Sequence, residues 1–187
     1  MWKLPENTDY MKEQNLHGDT LLYANEIYEL VKKHGFNQGD LALEIGCAWG
    51  VSAIAILTAG QGDLISVDSN EGNHARVEVP AAGYADRWQF NHSTSDEFFK
   101  DNQLKYDIVY IDGSHKYPVC ESDLINGWDC LKEGGILIAD DYRHPHNMDV
   151  EKDGTVEYGV SFGICNFIYE RQVERISTSK HLFVAYK

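Results

Sequence analysis

The sequence predicts a doubly wound α/β fold built on a mostly parallel sheet, and three observations carry that expectation. Four near-continuous apolar runs, Leu41-Ala42-Leu43, Leu64-Ile65-Ser66-Val67, Ile108-Val109-Tyr110-Ile111 and Ile136-Leu137-Ile138-Ala139, have the character of strands covered on both faces. Helical patterns separate them. Each run ends in acid: Glu44, Asp68, Asp112 and the pair Asp140-Asp141. Open parallel sheets bind ligands beyond the carboxyl ends of their strands. Five carboxylates are therefore delivered to one rim, where the chemistry is expected.

The elements follow in order. Residues 1–18 are polar and carry no pattern, so they read as an arm or partial lid. Thr20 to His34 is an amphipathic helix, with Leu22, Ile27, Leu30 and Val31 on one face and Gly35 suited to its C-terminal cap. After the first strand, Val51 to Ala59 forms a second helix, stopped by Gly60. A weaker helical stretch runs from Asn73 to Tyr84, interrupted by Pro80, which belongs only in a first turn. Trp88 to Asn91 is a short third strand, and a helix with Leu124, Trp128 and Leu131 on one face is closed by Gly134-Gly135. Residues 142–160 are polar and turn-rich, a long loop suited to substrate. Phe162 to Tyr169 is helical, and Val173 to Ile176 and Leu182 to Ala185 form a closing antiparallel pair. The count is seven strands.

At 187 residues the chain reads as one domain over 1–187, with 43% hydrophobic and 25% charged residues. The net charge of −14 repels phosphate backbones and argues against nucleic acid as a partner. No apolar run reaches membrane-spanning length, and Met1 to Glu6 has no signal-peptide core, so a cytoplasmic protein is expected. Cys47, Cys120, Cys130 and Cys165 form no CxxC pair and suit buried thiols in a reducing compartment. A homo-oligomer is left open.

Glu44-Ile45-Gly46-Cys47-Ala48-Trp49-Gly50 joins a strand to a helix, and its glycines allow a ligand close to the backbone. The spacing is G-x-x-x-G and not the G-x-G-x-x-G of dinucleotide binders. A tight turn without ligand is the plainer alternative. Asp68 ends the next strand, where a carboxylate accepts ribose hydroxyls; Asp68 and Ser69 would equally cap a helix.

Glu44 to Gly50, the acid Asp68, and Tyr106-Asp107-Ile108-Val109-Tyr110-Ile111-Asp112-Gly113 together resemble a class I S-adenosylmethionine-dependent methyltransferase over Thr20 to Lys187. The closing strand pair, and Ala81 to Arg87 before the third strand, are similar to that family as well. The resemblance implies a Rossmann-like fold. It also implies a cofactor site of Glu44, Gly46, Cys47, Ala48, Trp49, Gly50, Asp68, Ser69, Thr94, Ser95 and Asp112, the adenine being held at Thr94 and Ser95. Capping of a helix through Glu97 and Phe98 is the alternative role for those two.

Asp112, Asp140 and Asp141 end adjacent strands, ~4.8 Å apart, so their carboxylates can converge. Clustered carboxylates repel unless a proton or cation intervenes, and oxygen ligands suit Mg²⁺ first. The pattern resembles the divalent-metal O-methyltransferases that act on catechols and natural products. His115 stands three residues after Asp112. The resemblance puts a general base at this offset, and histidine suits neutral pH. Ser114 excludes the relatives' variant with an aspartate two residues on. Strand-end capping and a loop histidine are the alternatives. Asp149 to Gly154 opens like a calcium loop but has Val160 at the twelfth position, and His144 and His146 suit substrate better than zinc.

The expectation is O-methylation of a small-molecule hydroxyl with S-adenosylmethionine and Mg²⁺. Its rivals are a metal-independent methyltransferase of the same fold and a non-catalytic S-adenosylmethionine-binding module.

Overall fold

The computed structural model describes residues 18–144 and 158–187. The arm over 1–17 and the middle of the expected substrate loop, 145–157 with His146 and Asp149 to Gly154, lie outside the described residues. Two compact units divide the chain, residues 1–94 and 95–187.

In the first unit, α1 (Gly18–His34) packs on α2 (Val51–Ala59), and three basic residues, Lys32, Lys33 and His34, close α1's last turn. Strands β1 (Leu41–Ile45), β2 (Asp63–Asp68) and β3 (Trp88–His92) are parallel. Helix α2 is buried nearly throughout, Val51 to Leu57, as its unbroken apolar sequence requires. Its C-terminal end is held by Arg87, whose guanidinium donates to the carbonyls of Leu57 (2.8 Å), Gly60 (3.2 Å) and Gly62 (2.8 Å). A cation there satisfies orphan carbonyls and opposes the negative end of the helix. The stretch with Pro80 is two pieces. Helix α3 (Ala75–Val79) gives way to a wide π-type turn (Pro80–Tyr84) with Gly83 at φ +94. Proline is accommodated because a new turn begins with it.

The second unit holds α4 (Ser95–Asp101), β4 (Tyr106–Ile111), α5 (Val119–Cys130), β5 (Leu131–Ala139), α6 (Val160–Arg171), β6 (Ile176–Thr178) and β7 (Phe183–Tyr186). Strand β4 pairs parallel with β5, and β7 is antiparallel to both β5 and β6. Two expected boundaries move. Leu131, assigned to a helix face from the sequence, already has strand dihedrals. Gly134-Gly135 lies inside β5, where the register against β4 shifts. Gly134 at φ +83 supplies the irregularity, so the glycine pair bends a strand where it was expected to end a helix. The closing pair also begins later than expected, at Ile176.

The sheet order is β3-β2-β1-β4-β5-β7-β6. This is the doubly wound, seven-stranded arrangement with an antiparallel C-terminal pair that the sequence pattern predicts. Among the described residues no helix is long and apolar enough to cross a membrane.

Candidate active site

The first unit carries the glycine loop. Gly46, Ala48 and Gly50 sit at φ +83, +35 and +80, so every second residue of the turn after β1 is left-handed. The Gly46 N–H donates to the Val67 carbonyl at 2.8 Å, and the Gly50 N–H to the Cys47 carbonyl at 2.6 Å. Asp68 ties the loop to the end of β2. One of its oxygens accepts the N–H groups of Cys47 (3.0 Å) and Ala48 (3.1 Å), and the other that of Asn70 (2.8 Å). Ser69 is exposed beside it, its carbonyl accepting from His92 Nε2 at 3.1 Å.

Glu44 does not face the rim. It is fully buried, and its two oxygens accept the hydroxyls of Ser52 and Ser66 at 2.5 Å each. Its carboxylate anchors β1 to α2 and β2. Gly50 is required by packing: a Cβ there would lie 2.9 Å from Val79 Cγ2 and 3.1 Å from Ala75 Cα. The Cys47 thiol is pushed far above its ordinary range, first by burial and then by the charges of Glu44 and Asp68, so it is no nucleophile. Trp49 is 37% exposed and stacks on His74 at 4.2 Å. Thr94 is exposed at the end of this unit.

The second unit gathers the acids. Asp112 follows β4 and Asp140-Asp141 follow β5, because those strands pair in parallel with Ile111 opposite Ala139. His115 Nε2 lies 3.0 Å from Asp141 Oδ2 and 3.4 Å from Asp112 Oδ1. One donor atom from each of Asp112, His115 and Asp141 falls within 4.8 Å of the others. Asp141 adopts φ +56, which aspartate tolerates better than most residues, and its N–H donates to Asp140 Oδ1 at 2.8 Å. Asp140 Oδ2 also faces the Tyr110 hydroxyl at 3.4 Å. Burial and, next, the charge of Asp112 push the Asp140 carboxyl up to about 8. The hydrogen bond to Asp112 raises the pKa of His115, with Asp141 and Asp140 adding to the effect.

This donor set fits a divalent cation. Carboxylates gathered this closely repel one another, and a cation would offset that repulsion.

Residues 43–142, 100 of the chain's 187, match the family model described as a methyltransferase domain. The chain belongs to that family. Solved structures carry the same methyltransferase fold. One is the O-methyltransferase TomG from Streptomyces achromogenes, involved in tomaymycin synthesis and solved with SAM (15% identity, TM-score 0.71, covering 97% of this chain and 87% of that one). Another is an O-methyltransferase from Bacillus cereus in complex with SAH (15% identity, TM-score 0.65, 98% of each chain). No curated protein matches the chain.

Around the acids, this methyltransferase has groups that the sequence did not single out. Tyr158 stacks on His115 (4.9 Å, 7° between planes) and on His144 (4.1 Å, 10°). The Gly159 N–H donates to the His115 carbonyl at 2.7 Å. The two contacts with His115 join residues more than 40 positions apart, and no spacing signal announces them. The long polar loop was the available hint.

Proposed function

We propose that this methyltransferase transfers the methyl group of S-adenosylmethionine to the hydroxyl of a small molecule, with Mg²⁺ or Mn²⁺ as cofactor. The reading is carried by one observation: the donor atoms of Asp112, His115 and Asp141 converge within 4.8 Å at the ends of β4 and β5. The SAM and SAH in the two O-methyltransferases of the same fold support the cofactor.

Gly46, Cys47, Ala48, Trp49 and Gly50 then form the turn against which the cofactor lies. Asp68 accepts the ribose hydroxyls, Ser69 lines that edge, and Thr94 and Ser95 hold the adenine. Glu44 acts from beneath by holding the loop's two strands and helix together. Asp112, Asp140 and Asp141 would hold the ion, which supplies acidification and orientation of the acceptor hydroxyl. His115 takes the hydroxyl proton. The acceptor oxygen forms its bond to the methyl carbon as the carbon–sulfur bond breaks, and the sulfonium leaves as a thioether. Positioning carries most of this reaction, since both reacting partners are already polarised. Tyr158 restrains the His115 ring from one side, and residues 142–160 shape the acceptor pocket.

The test has two arms. Calorimetry should show S-adenosylhomocysteine binding at micromolar Kd, ~8 kcal/mol, and NAD not binding. Methyl transfer to a panel of catechols, sugars and hydroxy-acids should stop in EDTA and return with Mg²⁺ or Mn²⁺. His115→Ala should cut kcat by ~10²–10⁴-fold without loss of S-adenosylhomocysteine affinity. Turnover that survives EDTA would replace this reading with a metal-independent methyltransferase. Binding without turnover on any acceptor would replace it with a cofactor-binding module.

A further inference from the structure

The two residues before α6, Tyr158 and Gly159, touch both loops that carry the acids. On the β4 side, the Tyr158 ring lies 7° from parallel to that of His115, and the Gly159 N–H donates to the His115 carbonyl. One contact holds the ring and the other the backbone of the same residue. On the β5 side, Tyr158 also stacks on His144, whose N–H donates to the Asp141 carbonyl at 3.0 Å. The Ser161 hydroxyl adds a bond to the Tyr142 carbonyl at 3.0 Å. Tyr158 therefore links the loop of His115 to the loop of Asp140-Asp141. Gly159 lets the chain come this near. Its φ of −106 suits any residue, but a Cβ would lie 2.4 Å from Tyr117 Cβ and 2.8 Å from Tyr117 N.

The His115 side chain is 32% exposed and sits on a loop, so burial alone does not fix its torsions. Asp112 and Asp141 hold one point of the imidazole, Nε2. A ring held at one atom still turns about that atom, and a parallel aromatic face opposes the turning. A stacked pair favours the aligned ring by ~2–10-fold. We propose that Tyr158 is a positioning residue, which acts on methyl transfer by fixing the plane of His115. The role belongs to its ring, so phenylalanine should replace it. This rests on His115 as the base, and it goes further by assigning the end of the 142–160 loop to the mounting of that base.

The experiment reads the ring and the reaction separately. In wild type the NMR signals of the His115 ring protons should be moved upfield by the facing Tyr158 ring. Tyr158→Phe should keep that shift and Tyr158→Leu should lose it. On the best acceptor of the panel, with Mg²⁺, Tyr158→Leu should cut kcat by ~10–100-fold, the scale of a slightly misplaced reacting group. Acceptor KM and S-adenosylhomocysteine Kd should not change, and Tyr158→Phe should recover most of kcat. In His115→Gly, imidazole added to the buffer should restore turnover saturably. Adding Tyr158→Leu should raise the imidazole concentration for half-recovery by ~2–10-fold. Wild-type kcat in Tyr158→Leu overturns the inference alone, as does a change confined to acceptor KM, which would make Tyr158 a pocket wall. If Tyr158→Leu does not fold, His144→Leu replaces it. That variant should weaken the His115 shift and kcat together, and no change in either overturns the inference. No turnover by wild type on any acceptor overturns the proposed reaction, and this inference with it.

Discussion

A carboxyl group held away from water keeps its proton to higher pH, and Asp123 carries that rule into stability. Its ordinary value of 3.8 becomes about 6 in the folded chain. A raised folded value means that its contribution is fully favourable below pH ~4 and is lost as pH climbs through ~6. Two units correspond to ~3 kcal/mol. Asp123→Asn imitates the protonated form, so its stability advantage over wild type should be near zero at pH ~4 and approach ~3 kcal/mol by pH 7. Urea unfolding across that range measures it, and a flat difference would mean that Asp123 carries no buried charge. Asp112, Asp140 and Asp141 were legible because a strand-end position is topological: the parallel pairing of β4 and β5 brings those ends together whatever the side chains do. Glu44 was less legible. Its position at a strand end was read correctly, but Ser52 and Ser66 turn its carboxylate inward, and those partners lie 8 and 22 residues away.

The loop between β1 and α2 shows the same division among elements. From the sequence its glycines suggested room for a ligand, yet Gly50 is small because α3 crosses it closely. Gly50→Ala would place a Cβ 2.9 Å from Val79 Cγ2 and 3.1 Å from the Ala75 backbone, at φ +80. The expected cost is ~1–3 kcal/mol in urea unfolding, from overpacking and from alanine in a left-handed conformation. Adding Val79→Ala should relieve only part of it, since the Ala75 backbone and the dihedral remain. Full recovery would show that the side-chain clash alone matters. The strands and α2 were legible from solid apolar runs. The break at Pro80 and the strand inside Leu131 to Gly135 were not, because proline and glycine mark an irregularity without saying which kind.

At the scale of the whole molecule, the proposed cofactor loop belongs to the first unit and the acid cluster to the second. The net charge of −14 leaves the chain short of cations generally, so a response to metal has to be shown to come from the cluster. Two ligands and two variants separate the sites. S-adenosylhomocysteine at ~100-fold its Kd stabilises by ~2.7 kcal/mol, which for a chain of this size raises Tm by ~5–10 °C. Mg²⁺ or Mn²⁺ should raise Tm on its own, with NaCl at equal ionic strength as a control for screening. Gly46→Val forces a β-branched residue onto φ +83 and should abolish the S-adenosylhomocysteine shift while leaving the metal shift. Asp141→Gly removes a carboxylate without straining the left-handed backbone at φ +56, and should do the reverse. If each variant lost both shifts, local refolding would be the common cause and the assignment of the two ligands to separate sites would fall. If Asp141→Gly kept its metal shift, the ion would bind elsewhere on the acidic surface, and the convergence of Asp112, His115 and Asp141 would have to be explained by hydrogen bonding alone.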